Sequence, residues 1–211
     1  MLEYTVQSEM LNLFATPLYR GSLGRAFSDA ELQCFRNQLQ QAHTAIANQA
    51  SSNKRVLELP ALQGLRNELQ QHLSNYFQQV FNTSNDVQLK ITQSWLSLTR
   101  KEESHHEHTH PNSVASGVLY INVGETDGIN FYRNEDNIWH ELLRKEENYY
   151  NAYRYFVQTQ AGDVLIFPSN IRHGVGRQQQ EIERVSLAFN SFFEGELGKD
   201  EFSNQLRIEL K

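Results

Sequence analysis

Cysteine is almost absent from this sequence, because Cys34 is the only one among 211 residues. A single thiol allows no intrachain disulfide and excludes the thiolate metal sites of zinc fingers. Any metal must therefore be held by nitrogen or oxygen atoms. A cysteine or serine nucleophile is also unsupported, because no paired histidine is evident for Cys34 and the Gly-x-Ser-x-Gly elbow does not occur.

Long apolar runs and basic stripes are missing as well. No stretch approaches the roughly 18 apolar residues of a membrane span, and the N-terminus has no basic start followed by an apolar run. We therefore expect a soluble, cytoplasmic protein with no membrane partner. The formal net charge is −6 and the 19 basic residues are scattered, which disfavours sequence-independent binding to nucleic acid.

The first third of the chain predicts two helices in a supporting layer. Ser28 and Glu31 have the spacing of a capping box, and apolar residues recur at helical spacing through Ala42 to Ile46, so the first helix is predicted to end near Ala50. A second helix should begin after Pro60. Its predicted buried stripe consists of Leu62, Leu65, Leu69, Leu73 and Phe77.

From Val87 onward the apolar period changes to that of strands. Residues 87–99, 116–123, 163–168 and 184–193 are apolar or alternating segments bounded by turn formers. Short strands after two helices indicate an α+β, mainly β class, in which an antiparallel sheet closes as a jelly roll or barrel with the helices outside. We expect a single domain over residues 1–211.

Three parts of that domain can be separated. Residues 1–85 should supply an N-terminal strand and helical support, residues 86–195 the β core, and residues 196–211 a C-terminal strand or tail. Residues 134–155 interrupt the core with a predicted short helix at 138–145 and an aromatic-rich segment. This insertion is either a lid or substrate loop, or a functionally silent surface loop.

The chemistry is concentrated in the tract HHEHTH, which holds four of the eight histidines. Alone it resembles a surface tract that binds metal adventitiously. It lies between two predicted strands, however, and residues two apart on a strand point to the same face, so His108 and His110 form a plausible ligand pair. His173 follows a buried strand and a Pro-Ser-Asn turn. It is either a third ligand or a structural histidine.

Arg184 begins an alternating strand and shares one strand face with Ser186. A buried arginine needs an anion, and its planar guanidinium matches a carboxylate. A metal together with an inward arginine and a hydroxyl predicts a site for a small dicarboxylate that chelates the metal at its other end.

The ordered motifs resemble the 2-oxoglutarate and Fe(II)-dependent oxygenases related to prolyl 4-hydroxylases, in a branch found in marine bacteria and their phages. They are H-x-H-P-x-S-x-x-S-G-V-x-Y, G-D-x-L-I-F-P-S-x-x-x-H-x-V and R-V-S-x-A-F-N. LFATPLYRGSL and the tail from Phe192 extend the resemblance over most of the chain. It implies a double-stranded β-helix (cupin-like jelly roll), Fe(II), 2-oxoglutarate and oxygen as cosubstrates, and hydroxylation with release of succinate and CO2.

The resemblance also implies roles for individual residues. His108 begins the metal motif and His173 is the distal histidine. Arg184 and Ser186 match the element that binds the far carboxylate of 2-oxoglutarate. Tyr120 stands where related enzymes often place a tyrosine hydroxyl on the cosubstrate.

The sequence departs from the family at one position, where His110 replaces the usual Asp or Glu. His110 is either the third ligand of a three-histidine site, or it lies beside the ligands and leaves water or Glu107 to complete the set. A shifted register, with His105 and Glu107 as the first ligands, is the other alternative. We favour His108 because it lies closer to the strand.

Two rival functions remain open at this stage. One is a cupin-like three-histidine dioxygenase without 2-oxoglutarate, and the other is a non-enzymatic barrel with a structural zinc that recruits His105 or His106 as a fourth ligand. The substrate class stays open among peptide, small molecule and nucleobase, and so does the oligomeric state, with a homodimer among the alternatives. Aromatic residues form a substrate wall or simply pack; they are Trp95, Trp139, Tyr149, Tyr150, Tyr153 and Tyr155.

Overall fold

The computed structural model describes residues 8–133, 143, 145–198 and 204–210. Within them the chain forms two α-helices, two short 3-10 helices and twelve strands. The helices are α1 (Asp29–Gln40) and α2 (Gln63–Val80), with 3-10 turns at Val56–Glu58 and Pro60–Leu62. The strands are β1 (Tyr19–Ser22), β2 (Ala42–Thr44), β3 (Gln49–Ser51), β4 (Val87–Thr99), β5 (His105–His108), β6 (Ala115–Asn122), β7 (Gly128–Tyr132), β8 (Arg154–Gln158), β9 (Asp163–Pro168), β10 (Arg172–Val175), β11 (Arg184–Leu197) and β12 (Leu206–Ile208).

The strands form two antiparallel sheets. The large sheet has the order β1-β9-β6-β11-β4-β3-β2, with β12 paired to one end of β11, and the small sheet has the order β5-β10-β7-β8. Side chains from β6 and β9 pack against side chains from β7 and β8, so the two sheets face each other across a common interior. This arrangement confirms the predicted α+β, mainly β class with a jelly-roll core.

The helices cover the other face of the large sheet. The predicted stripe of α2 is buried as expected, and its leucines are fully inaccessible. They pack with outward-facing residues of the large sheet, among them Leu96, Leu119 and Leu187. No helix in the described ranges is both long enough and apolar enough to cross a membrane.

The prediction for the end of the first helix is wrong, although its start is confirmed. Ser28 and Glu31 form both bonds of the capping box, but α1 ends at Gln40. The chain then forms the β2–β3 hairpin, and β3 pairs with β4 through Gln49 and Ala50. Pairing with the edge of the large sheet therefore overrides the helical spacing of the apolar residues. Ile46, expected on the buried helix face, is 76% exposed.

Other expectations are changed in detail. The N-terminal region supplies three strands of the large sheet, where a single strand was expected. Most of the predicted helix at 138–145, with Trp139, lies outside the described residues. Part of the aromatic-rich segment forms β8, which pairs with β7 and is an edge strand of the small sheet.

Strict alternation along β11 gives the large sheet two different faces. Val185, Leu187 and Phe189 belong to the core beneath the helices. Arg184 and Ser186, on the opposite face, line a cavity between the sheets. The period-two pattern thus separates the residues that build the core from those that build the site.

Candidate active site

Three histidines meet at the edge of the small sheet. β5 pairs with β10 so that His173 lies opposite His108. His110 follows β5 in a loop whose position is fixed by its own N–H, which donates to the carbonyl of Ser169 at 2.9 Å. One ring nitrogen from each histidine lies within 4.8 Å of the other two. The structure therefore brings together the three residues that were predicted from the sequence as ligands.

Backbone carbonyls orient two of these rings. Nδ1 of His108 lies 2.8 Å from the carbonyl oxygen of His106, and Nδ1 of His173 lies 3.0 Å from that of Ile171. Because a carbonyl only accepts, Nδ1 carries the proton and Nε2 keeps its lone pair. Nε2 of His110 lies 3.2 Å from Nε2 of His173. Two nitrogen ligands at right angles, each about 2.1 Å from a metal, would be separated by about 3 Å.

Burial keeps these imidazoles neutral. Desolvation lowers the pKa of His173 to about 3 and that of His110 to about 4, and it also lowers the pKa of His108. A neutral imidazole has a free lone pair for a metal, whereas a charged imidazolium does not. The cluster is therefore in its metal-binding form at neutral pH.

The other candidates in the tract have different surroundings. Nε2 of His105 contacts the side-chain amide of Asn48 and lies 3.0 Å from Oγ1 of Thr99. Glu107 has a carboxylate oxygen 3.6 Å from Nε of Arg172 and is partly exposed. Among the described residues, the group with metal-ligand geometry contains neither His105 nor Glu107.

His106 lies on the exposed side of the tract. Its ring centroid is 4.8 Å from that of His108, and the residue is exposed to solvent. Its backbone carbonyl contributes more than its imidazole does, because that oxygen orients His108. His106 is likewise outside the described group with metal-ligand geometry.

A second polar group lies in the same interior. Arg184 is 1% exposed, and its Nη1 lies 3.3 Å from Oγ of Ser186. The ring of Tyr120 lies beside the guanidinium, with its centroid 5.5 Å from Cζ. The Tyr120 hydroxyl is buried and has no hydrogen-bond partner among the described residues. Burial raises the Tyr120 pKa, so this hydroxyl is protonated and has a proton to donate.

Asp127 is the residue of this group that the sequence did not reveal. Its Oδ2 lies 2.8 Å from Nε of Arg184, and both side chains are almost completely buried. The expectation that buried Arg184 requires an anion is therefore met first by the protein itself. Asp127 lies in the turn GETDG, where an aspartate is an ordinary turn residue and gives no signal of a longer-range role.

One cavity joins the two groups. Its lining includes the three clustered histidines and the group around Arg184, together with Trp95, Ser97, Ile129 and Phe167. Tyr149, Tyr150, Tyr153 and Tyr155 are not among its lining residues and are exposed. Of the described aromatic residues considered for a substrate wall, Trp95 is the one that reaches this cavity.

Comparisons with known proteins agree with this arrangement. Residues 93–190 match the family described as "Putative 2OG-Fe(II) oxygenase". No curated protein matches the sequence. The matched segment contains the histidine cluster, Tyr120 and Arg184, and it runs from β4 to β11.

Solved structures show the same fold at low sequence identity. An oxidoreductase of the 2OG-Fe(II) oxygenase family from Burkholderia pseudomallei is 14% identical with a TM-score of 0.55, covering 82% of this chain and 83% of its own. HygX from Streptomyces hygroscopicus, with nickel, 2-oxoglutarate and hygromycin B bound, is 16% identical with a TM-score of 0.53, covering 83% and 82%. A Pseudomonas putida prolyl-4-hydroxylase is 15% identical with a TM-score of 0.53, covering 83% and 92%.

The family match and the fold support each other, because the matched segment is the one that builds the cavity. The resemblance noted in the sequence motifs is thereby confirmed at the level of the family. Residues 93–190 therefore match the 2OG-Fe(II) oxygenase family, and this match together with the fold indicates an oxygenase of that type.

Proposed function

We propose that this enzyme hydroxylates its substrate with Fe(II), 2-oxoglutarate and oxygen, and releases succinate and CO2. In this proposal His108, His110 and His173 hold the iron, while Arg184, Ser186 and Tyr120 hold 2-oxoglutarate. The observation that carries it is the single cavity lined by three neutral imidazoles and a buried arginine. Neither group alone would define this reaction.

The donor set suits a divalent iron. Imidazole nitrogen is a good ligand for iron, and the three histidines would hold the ion inside the cavity that also borders Arg184. Bound Fe(II) would supply the redox chemistry that activates oxygen and decarboxylates the 2-oxo acid. With His110 in place of a carboxylate, the protein contributes no negative charge to the ligand set, so binding of anionic 2-oxoglutarate is favoured electrostatically.

The far end of the cavity suits a carboxylate. Arg184 provides a fixed planar guanidinium, and Ser186 provides a hydroxyl beside it. Among the described residues, the Tyr120 hydroxyl is a buried donor without a partner, and such groups are costly unless a ligand or water satisfies them. HygX, whose structure contains nickel and 2-oxoglutarate, is a relative in fold that binds this pair of ligands.

The surroundings of His173 are partly apolar. Phe131 and Phe167 lie against its ring, with centroids 6.3 Å and 4.7 Å away. An apolar shell lowers the local dielectric constant, which strengthens the interaction of a metal with its ligands and protects reactive species from water. We infer that this shell confines the oxidation to the bound substrate.

The rival functions are less well supported. A structural zinc needs a fourth protein ligand, and His105 already contacts Asn48 and Thr99. A three-histidine dioxygenase without 2-oxoglutarate would have no use for Arg184 at the far end of the cavity. Dependence on 2-oxoglutarate therefore separates that reaction from the proposed one.

Succinate formation by Arg184 variants tests the proposal. Purified enzyme would be supplied with Fe(II), oxygen and increasing 2-oxoglutarate, and succinate would be measured for the wild type, Arg184→Gln and Arg184→Lys. Loss of a buried charged partner costs about 2–5 kcal/mol of binding, so the KM for 2-oxoglutarate should rise about 30-fold or more in Arg184→Gln. Arg184→Lys should also be impaired, because lysine is a point charge without the planar fork.

An exposed arginine serves as the control. Arg177 is 66% exposed in its side chain and pairs with Glu102, so Arg177→Gln should leave the KM unchanged. The same KM in the wild type and both Arg184 variants would refute the assigned role of Arg184. Oxidation of the substrate without added 2-oxoglutarate and without succinate formation would favour the three-histidine dioxygenase.

A further inference from the structure

We propose that Asp127 is a positioning residue, which holds the Arg184 guanidinium in the orientation that receives the far carboxylate of 2-oxoglutarate. The inference rests on the proposed function of Arg184. It adds a residue that touches neither the metal nor the cosubstrate and that acts only through the arginine.

Hydrogen bonds to the backbone hold Asp127 in place independently of its contact with the arginine. Its N–H donates to the carbonyl of Gly124 at 3.2 Å, and the N–H of Thr159 donates to its carbonyl at 3.0 Å. Its carboxylate oxygen Oδ1 accepts from the N–H of Gly128 at 2.6 Å. The turn before β7 and the end of β8 therefore hold the carboxylate in one place, with Oδ2 left for another partner.

That second oxygen forms an ion pair with the guanidinium. Nε of Arg184 lies 2.8 Å from Oδ2, and the two side chains are 2% and 6% exposed. The Tyr120 ring lies beside the guanidinium and Ser186 lies next to Nη1. With these three contacts in place, the part of Arg184 that borders the cavity is what remains for an incoming carboxylate.

Only a carboxylate suits the position of Asp127. The N–H of Gly128 donates to Oδ1, and the charged Nε of Arg184 forms an ion pair with Oδ2 at 2.8 Å. An asparagine has one oxygen and one NH2 group, so in either orientation it would place a donor against a donor. The substitution Asp127→Asn keeps the size of the side chain and should release one of these contacts. Since the Gly128 contact is local to the turn, we expect the contact to Arg184 to be lost.

Binding of two 2-oxo acids distinguishes positioning from general stability. Calorimetry would give the Kd of 2-oxoglutarate and of pyruvate, which lacks the far carboxylate, for the metal-loaded protein without oxygen. Supporting residues around a site typically contribute a factor of about 10–100 in affinity. Asp127→Asn should therefore raise the Kd of 2-oxoglutarate about tenfold or more. Pyruvate affinity and metal affinity should not change.

Asp163→Asn is the matched control. Asp163 is also a buried aspartate that accepts a backbone N–H, from Gln160, but its ion-pair partner is Arg20. Its substitution should lower the unfolding temperature without changing the ratio of the two affinities. If Asp127→Asn fails to fold, Asp127→Glu keeps the charge but shifts the carboxylate by one methylene, and the same selective loss of 2-oxoglutarate affinity is expected.

Unchanged or tighter binding of 2-oxoglutarate in the folded Asp127 variants would overturn the inference, since Asp127 would then be neutral or a competitor for Arg184. An equal loss for both 2-oxo acids would also overturn it. Arg184→Gln separates this failure from failure of the proposed function. If Arg184→Gln weakens the binding of 2-oxoglutarate and Asp127→Asn does not, only the positioning role is wrong. Unchanged binding in both variants would refute the role of Arg184.

Discussion

Both faces of the large sheet are buried, but they pack against different kinds of side chain. Beneath the helices, the core consists of apolar side chains from α1, α2 and the outward positions of the strands. Between the sheets, apolar residues share the interior with His173, Arg184, Tyr120 and Ser186. From Arg184 to Phe189, the single strand β11 alternates between these two environments.

This contrast separates stability from chemistry. Apolar burial beneath the helices stabilises the fold in rough proportion to the area removed from water. Polar groups between the sheets are costly to bury unless they are paired, and unpaired donors or lone pairs there are ready to bind a ligand. Substitutions beneath the helices should therefore change the free energy of unfolding, whereas substitutions of the polar groups between the sheets should change metal or 2-oxoglutarate binding.

The largest effect is expected from His173→Ala. Supporting residues of metal sites contribute a factor of 10–100, so loss of a ligand should weaken iron binding by more than about 100-fold and abolish succinate formation. Metal titration and a succinate assay would measure both. His43→Ala removes an exposed histidine of β2 and should change neither quantity. Full activity in His173→Ala would show that the metal is not bound between the sheets at this histidine.

Leu69→Ala tests the core beneath the helices. Leu69 is completely buried on α2, and truncation of such a leucine costs about 2–5 kcal/mol of the free energy of unfolding. Urea unfolding should show this loss, while the iron affinity of the folded protein should stay unchanged. Ile46→Ala, at an exposed position, should change stability by no more than about 0.5 kcal/mol. A large fall in iron affinity with Leu69→Ala would mean that the two faces are not separable.

Acid should destabilise the metal-free protein through the buried histidines between the sheets. The pKa of His173 is lowered from 6.5 to about 3, and that of His110 from 6.5 to about 4. Below pH 6.5 the unfolded state therefore binds protons that the folded state does not, so stability falls as the pH decreases toward these folded-state values. Urea unfolding of metal-free protein at a series of pH values should show this slope, and it should be shallower in His173→Ala. An identical slope in both proteins would contradict the assigned cause.

The smallest effect is expected at the capping box, far from both groups of site residues. Oγ of Ser28 accepts from the N–H of Glu31, and loss of such a cap costs about 1 kcal/mol. Ser28→Ala should lower the free energy of unfolding by about this amount and leave the KM for 2-oxoglutarate unchanged. Ser84→Ala, at an exposed position after α2, is the matched control and should have no measurable effect on stability.

Features with a local period were predictable from the sequence. The stripe of α2, the cap at Ser28 and the alternation along β11 each depend on nearby residues, and the structure agrees with them. The convergence of His108 with His173 was also accessible, because strand ends and histidine spacing narrow the choices. The dicarboxylate site at Arg184 was predicted from the residues; the resemblance of the motifs to a known family added 2-oxoglutarate as its ligand and the role of Tyr120, and these roles remain proposals.

Features that depend on tertiary pairing were not predictable. The helical spacing through Ile46 gave no sign that β3 would pair with β4. Asp127 reaches Arg184 across 57 residues of sequence, and its position in a turn explains its identity without that contact. The internal partner of a buried arginine cannot be inferred from strand alternation, which specifies a face but no neighbour.

A crystal structure of the enzyme with Fe(II) and 2-oxoglutarate, grown without oxygen, tests the assignment of the site most directly. We predict iron bound by Nε2 of His108, His110 and His173, with the far carboxylate of 2-oxoglutarate at Arg184 and the Tyr120 hydroxyl in contact with the cosubstrate. Iron held by His105 or Glu107, or a carboxylate bound away from Arg184, would contradict it.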